Sequence, residues 1–103
     1  MIPCICIDNN NCPIDFDYPS EWLVKDQKYH IVDIQYIPRS KTIGFKLSEK
    51  LDDKFYPYIY FRSDRFVIDL KYEKQLLEMI YKDSRLSEDD LPEVKEKLKL
   101  QEV

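Results

Sequence analysis

Glycine is nearly absent from this chain: Gly44 is the only one among 103 residues, and there is no alanine. A loop that cradles phosphate needs several glycines for close backbone approach, so that class of nucleotide site is excluded. No stretch reaches the roughly 18–20 apolar residues that cross a bilayer, so we expect no membrane partner. The apolar start of the chain is too short for a secretory signal and lacks its basic residues. These absences predict a cytoplasmic protein.

Catalytic and calcium-binding motifs are missing as well. His30 is the only histidine, with no neighbouring nucleophile in the sequence, and no serine lies in a Gly-x-Ser-x-Gly setting. The acidic segment 8–19 fails as a calcium loop, because Pro13 and Pro19 occupy the positions that require glycine and glutamate. We therefore expect a non-enzymatic protein with no catalytic residue and no cofactor.

Three cysteines raise the question of a metal site. Cys4, Cys6, Cys12 and His30 supply the ligand types of a three-thiolate, one-imidazole zinc site, and the first two share one face of a strand. The paired Cys-x-x-Cys spacing is absent, however, and free cysteine is among the most buried residue types. We predict reduced, buried thiols and no metal, since reducing compartments disfavour disulfides and the cysteine count is odd.

Charge is unevenly distributed along the chain, whose net charge is −4. Residues 1–38 hold two basic and six acidic groups, a net of −4. Residues 39–68 hold seven basic and four acidic groups, a net of +3, and residues 69–103 hold seven and ten, a net of −3. A basic middle between acidic ends can steer an anionic partner, although an ordinary mixed surface explains the same distribution.

Three segments in the first half of the chain have the character of strands. Residues 2–7 are apolar on both faces, and residues 29–37 alternate with period two. In the second segment we expect Ile31 on one face, with Ile34 and Tyr36 on the other. Residues 42–47 return after the turn at 38–41 as a hairpin partner, with their apolar side chains inward. The inward residues are Ile43, Phe45 and Leu47.

The stretch 55–68, FYPYIYFRSDRFVI, carries six aromatics and two arginines around one Ser-Asp step. Alternating β-formers that run into a polar turn and a second apolar run are typical of the closing part of a small β-barrel. We expect Phe61 and Phe66 in the core and mixed roles for the tyrosines. Arg65 is interpreted as structural, paired with Asp64 or with an acidic residue of the N-terminal part.

Beyond residue 68 the apolar period becomes helical. Asp69 is expected to cap a helix that ends near Lys82, and Asp90 a second, shorter one. The first helix has apolar positions at Tyr72, Leu76, Leu77, Ile80 and Tyr81, and the second has a thin stripe of Leu91, Val94 and Leu98. The short helix needs a surface to lie on. That surface can belong to its own barrel, to a second copy of the chain or to a partner.

Five short motifs carry a resemblance: CICID at 4–8, PSEWLVK at 19–25, KYHIV at 28–32, IGFKL at 43–47 and YFRSDRF at 60–66. Together they resemble a group of small uncharacterised proteins encoded by phages and prophages of gut bacteria, which have the pattern of SH3-like barrels. The resemblance spans residues 4–68 and implies no activity. We therefore predict an α+β protein, with an SH3-like partly open β-barrel of about five strands in residues 1–68. One or two helices form a C-terminal extension, residues 69–103.

Three functions remain open. The first is a protein-interaction module that binds a host or viral protein through an aromatic groove (Trp22, Tyr36, Tyr58 and Tyr60) or through the C-terminal helix. The second is a nucleic-acid-binding module whose basic surface consists of Arg39, Lys41, Lys46, Arg62 and Arg65, although the acidic balance argues against it. The third is a self-assembling structural subunit that forms a homodimer through the C-terminal helix.

Overall fold

The computed structural model describes residues 1–82, 89 and 91–102. In this part of the chain six strands form one open, mostly antiparallel sheet in the order β4-β3-β2-β1-β5-β6. The strands are β1 (Ile2–Cys6), β2 (Lys28–Ile37), β3 (Thr42–Leu47), β4 (Phe61–Arg62), β5 (Phe66–Asp69) and β6 (Lys99–Gln101). The helices are α1 (Glu73–Tyr81) and α2 (Leu91–Lys97). The protein is thus a small α+β domain.

The long strand β2 contains a bulge that decides which of its residues are buried. Ile31 pairs with Leu47, but the next pair is Asp33 with Lys46, so β2 advances two residues while β3 advances one. The extra residue shifts the alternation, and Ile34 therefore returns to the face that already holds Ile31. The expectation that these two residues lie on opposite faces is wrong for this reason.

The core lies on one face of the sheet. Every second residue of β1 is buried, and Ile43, Phe45 and Leu47 of β3 all point inward as the sequence predicts. Phe61 and Phe66 are buried as well, which confirms their assignment to the core. Several large aromatic and branched side chains are thereby removed from water, and this burial is the main force that holds so small a domain together.

The aromatic stretch does not form two long paired strands. β4 has only two residues, and a 3₁₀ turn at Ser63–Arg65 separates it from β5. β4 pairs with β3 and β5 pairs with β1, so the two strands lie towards opposite edges of the sheet. Pro57 has no N–H to give to a ladder, and the segment before Phe61 is accordingly a loop.

The C-terminal part contains two helices and one strand, and the strand joins the sheet. α1 buries Leu76 and Ile80, whereas the predicted core position Tyr81 is exposed. α2 lies against β3, and Val94 is fully buried there. β6, which the sequence does not predict, pairs with β5 in parallel. The cap predicted at Asp90 falls outside the described residues.

Candidate interaction surface

Two loops pack their aromatic side chains against each other at one end of the sheet. The first loop, residues 7–27, joins β1 to β2, and the second loop, residues 48–60, joins β3 to β4. Phe16 of the first loop is stacked on Phe55 of the second, with ring centroids 5.9 Å apart. The resulting aromatic cluster consists of Phe16, Tyr18, Trp22, Phe55, Tyr58 and Phe61. It joins two otherwise irregular loops into one ordered surface.

Arg65 fastens the base of the first loop. The side chain is almost fully buried, and its Nη1 donates hydrogen bonds to the carbonyl oxygens of Asn10 (2.6 Å) and Asp8 (3.3 Å). The same nitrogen lies 3.7 Å from the Asp8 carboxylate, and the guanidinium lies 5.6 Å from the Trp22 ring centroid. The structural role and the N-terminal acidic partner expected for Arg65 are therefore confirmed.

Trp22 and Tyr36 belong to the core and offer no ring face to a partner. Tyr36 is 1% exposed, and the Trp22 indole donates a hydrogen bond of 3.0 Å to the carbonyl oxygen of Asn9. Tyr58 and Tyr60 are only half buried. The structure brings Trp22 and Tyr58 into the same aromatic cluster, whereas Tyr36 lies in β2 and Tyr60 lies at the end of the second loop, where it contacts Asp33 of β2. The four residues therefore do not form the expected groove.

The exposed rim of the two loops is both apolar and acidic. Ile14 is fully exposed, Tyr56 is 76% exposed, and Tyr18 and Leu51 also reach solvent. The carboxylates of Asp15, Asp17, Asp52 and Asp53 lie on the same two loops, and no ion pair joins them to a described residue. We call this set of eight residues and Tyr58 the two-loop surface. It offers tyrosine rings and negative charge together.

Tyr58 links the aromatic cluster to the acidic rim. Its hydroxyl donates a hydrogen bond of 2.5 Å to Oδ1 of Asp15. This bond, together with burial and the nearby carboxylate charges, raises the pKa of the Tyr58 phenol above its ordinary value. The hydroxyl therefore stays protonated and holds the Asp15 carboxylate in a fixed position beside the ring.

The expected basic surface is divided among several environments. Arg65 is buried, Arg62 lies 3.4 Å from Asp64, and Lys41 lies 3.5 Å from Glu93 of α2. The positions of the five residues are the β2–β3 turn (Arg39, Lys41), β3 (Lys46), β4 (Arg62) and the 3₁₀ turn before β5 (Arg65). Three of the five side chains interact with carboxylates, which offsets part of their positive charge.

The cysteines and His30 do not converge. Cys4 and Cys6 are buried in the sheet, whereas Cys12 is half buried in the first loop. Burial raises the pKa of Cys4 to about 12, so this thiol is protonated at neutral pH. His30 instead contacts Glu49, with Nδ1 2.6 Å from Oε2. No cluster of three potential metal ligands occurs within residues 1–82, 89 and 91–102.

Two lysines of the second loop contact Glu21, and the sequence does not predict these contacts. Nζ of Lys54 lies 2.9 Å from Oε1 of Glu21 and 4.9 Å from the centroid of Tyr18. Nζ of Lys50 donates a hydrogen bond of 2.5 Å to the carbonyl oxygen of Glu21. The available signal for the contacts of these lysines is the pair of aromatic residues at 16 and 18, which lie next to the aspartates at 15 and 17.

Comparison with protein-family models, curated proteins and solved structures finds no match to this chain. Neither helix in the described part of the chain has the length and apolar character needed to span a membrane. The functional argument therefore depends on the chemistry of the surface itself.

Proposed function

We propose that this domain is a non-enzymatic protein-interaction module and that the two-loop surface is its contact face. The observation that carries the proposal is the exposure of Tyr56 and Tyr18 on the same two loops as four carboxylates that form no ion pair with a described residue. Tyrosine is enriched at the centres of protein interfaces, because its ring buries a large area at a small cost in conformational entropy.

The rigidity of the surface supports a binding role. The rings of Phe16 and Phe55 are stacked beneath the exposed residues, and Arg65 anchors the first loop to the sheet. A partner that binds a preorganised surface loses less entropy than one that must order two flexible loops.

The proposal extends to the fold and to the partner. An SH3-like description of strands β1–β5 is supported by the order β4-β3-β2-β1-β5, in which β1 pairs with both β2 and β5. The resemblance of residues 4–68 to small phage and prophage proteins supports a host or viral protein as the partner. The surface itself specifies only a protein that presents complementary apolar and cationic groups.

The test is affinity capture from a lysate of the native host with three tagged proteins: wild type, Tyr56→Ala and Tyr81→Ala. Tyr81 is the matched control, since it is 51% exposed but lies on α1, away from the two loops. We expect a stoichiometric protein that binds wild type and Tyr81→Ala, survives nuclease and is lost or strongly depleted with Tyr56→Ala. Equal capture by all three proteins would refute the two-loop surface as the contact face.

The two alternative functions are weaker in physical terms. A nucleic-acid module would be recovered with nucleic acid and lose every partner after nuclease, but its basic residues are dispersed and partly neutralised. A self-assembling subunit needs an apolar stripe on α2, and Val94 and Leu98 are already buried in their own domain. Neither alternative has a contiguous surface comparable with the two-loop surface.

A further inference from the structure

The ammonium group of Lys54 lies in a small site formed by three other side chains. Its Nζ is 2.9 Å from Oε1 of Glu21, 4.9 Å from the centroid of Tyr18 and 5.3 Å from the centroid of Phe55. We call Tyr18, Glu21 and Phe55 the cation cage. A carboxylate beside two aromatic rings is the arrangement that proteins use to recognise alkylammonium and guanidinium groups.

The walls of the cage are fixed by packing. Phe55 is buried and stacked on Phe16, and the ring of Tyr18 meets Phe55 edge to face at 6.1 Å. Glu21 ends a 3₁₀ turn, Pro19–Glu21, and its carbonyl oxygen accepts a hydrogen bond from Lys50. These contacts do not involve the Lys54 ammonium, so the two rings and the backbone of Glu21 keep their positions when that group leaves.

The Lys54 ammonium, in contrast, can be displaced from the cage. The side chain of Lys54 is 35% exposed and that of Glu21 is 41% exposed. Ion pairs with this much solvent contact contribute little to stability, because water screens the charges and the lysine side chain loses entropy when it is held. Nothing encloses the ammonium, and a competing cation can therefore replace it.

We propose that the cation cage is a recognition site for a lysine or arginine side chain of the partner protein, which displaces Lys54. This inference rests on the proposed function and adds the chemistry of one contact. The carboxylates of the two-loop surface, which form no ion pair with a described residue, favour a cationic partner at long range, and Lys54 lowers the affinity by competing for the cage. Lys54 thus competes with the cationic side chain of the partner for the cation cage.

The experiment is an NMR titration of the full, ¹⁵N-labelled chain with the blocked amino acids N-acetyl-lysine methylamide and N-acetyl-arginine methylamide. N-acetyl-norleucine methylamide is the neutral probe of similar size. In the Lys54→Ala variant we expect saturable shifts at residues 18, 21 and 55 with the cationic probes only. The affinity should exceed that of wild type by up to about fivefold, because the Lys54 ammonium no longer competes. Lys74→Ala, which removes an exposed lysine of α1, should titrate like wild type.

The result that would overturn the proposal is equal binding of the cationic probes to wild type and Lys54→Ala, or no binding to either. Adding Glu21→Gln to Lys54→Ala should abolish the gain, and an unchanged affinity would also refute the cage. Amide spectra of each variant report whether the fold is intact. If the lysate partner is captured while the cage fails, the interaction module stands and only its cationic contact is wrong.

Discussion

The hydroxyl of Tyr60 donates a hydrogen bond of 2.8 Å to Oδ2 of Asp33, and the tyrosine side chain crosses β3 to reach it. Gly44 makes this crossing feasible. A Cβ placed on Gly44 would lie 3.1 Å from Cβ of Tyr60, closer than such atoms normally approach. The single glycine of the chain therefore serves close packing across the sheet, since its φ angle is not positive.

Replacing Gly44 by alanine should destabilise the protein by about 1 kcal/mol. The added methyl group forces the segment before β4 outward, and this cost exceeds the entropy that alanine removes from the unfolded chain. Urea denaturation gives the free energy of unfolding. The effect should be non-additive with Asp33→Ala, because both changes disrupt the Tyr60–Asp33 hydrogen bond. Full additivity, or a gain in stability, would contradict this role of the glycine.

Substitution of Arg65 by methionine should cost about 2 kcal/mol of stability, because it leaves carbonyl oxygens of the first loop without their charged donor. Lysine at this position should restore only part of the loss, since an ammonium lacks the planar fork of the guanidinium. The control is Arg62→Met, whose side chain is 54% exposed and should change stability by less than about 0.5 kcal/mol. Similar losses for the two arginines in urea denaturation would disprove the assignment.

The contact between His30 and Glu49 should make stability depend on pH in the acid range. Burial acts to raise the pKa of Glu49, but the hydrogen bonds from the side chain and backbone of His30 hold that pKa below its ordinary value of 4.5. Because the pKa is lower in the folded state, the ionised Glu49 carboxylate contributes its full stabilisation above pH 4.5. This contribution is lost as the pH falls further.

The variant Glu49→Gln tests this pH dependence of stability by urea denaturation between pH 7 and pH 3. The stability difference between wild type and this variant should be largest at neutral pH and should shrink below pH 4.5. Glu78→Gln, an exposed change on α1, should behave like wild type throughout. A difference that stays constant with pH would show that the Glu49 carboxylate has no special stabilisation.

Brief treatment with N-ethylmaleimide at neutral pH should label Cys12 well before the other two cysteines. Cys4 and Cys6 are buried, and burial raises the pKa of both thiols, which lowers the fraction of reactive thiolate. Peptide mass spectrometry locates the label. All three cysteines should react together in guanidinium chloride, and equal labelling under native conditions would mean that the N-terminal strand opens readily.

The limits of sequence-based prediction are clearest in β2 and β6. Alternation predicts the strand at residues 29–37, but the bulge after Ile31 depends on the register with β3, which no single strand encodes. β6 is short and carries Lys99 and Gln101, so its own residues do not indicate a strand. It forms because β5 offers an open edge, a tertiary effect that local propensity does not capture.

The candidate interaction surface is likewise predictable from the sequence only in part. The sequence predicts two roles for Arg65: a structural one, which its buried contacts confirm, and a contact to an anionic partner. The role of Phe55, Lys54 and Glu21 was not predictable, because they come from loops that meet only in the folded chain. The burial of Tyr36 is not predictable from the sequence, because the bulge in β2 depends on the pairing with β3.

The lengths of the strands have a consequence for colloidal behaviour. The ten-residue β2 lies inside the sheet, whereas the outer strands of the described sheet, β4 and β6, contain two and three residues. Short outer strands present few unsatisfied N–H and C=O groups to a neighbouring molecule, and charged side chains on them disfavour docking. This aromatic-rich protein is therefore poorly suited to template strand-by-strand aggregation, although nearly half of its residues are hydrophobic.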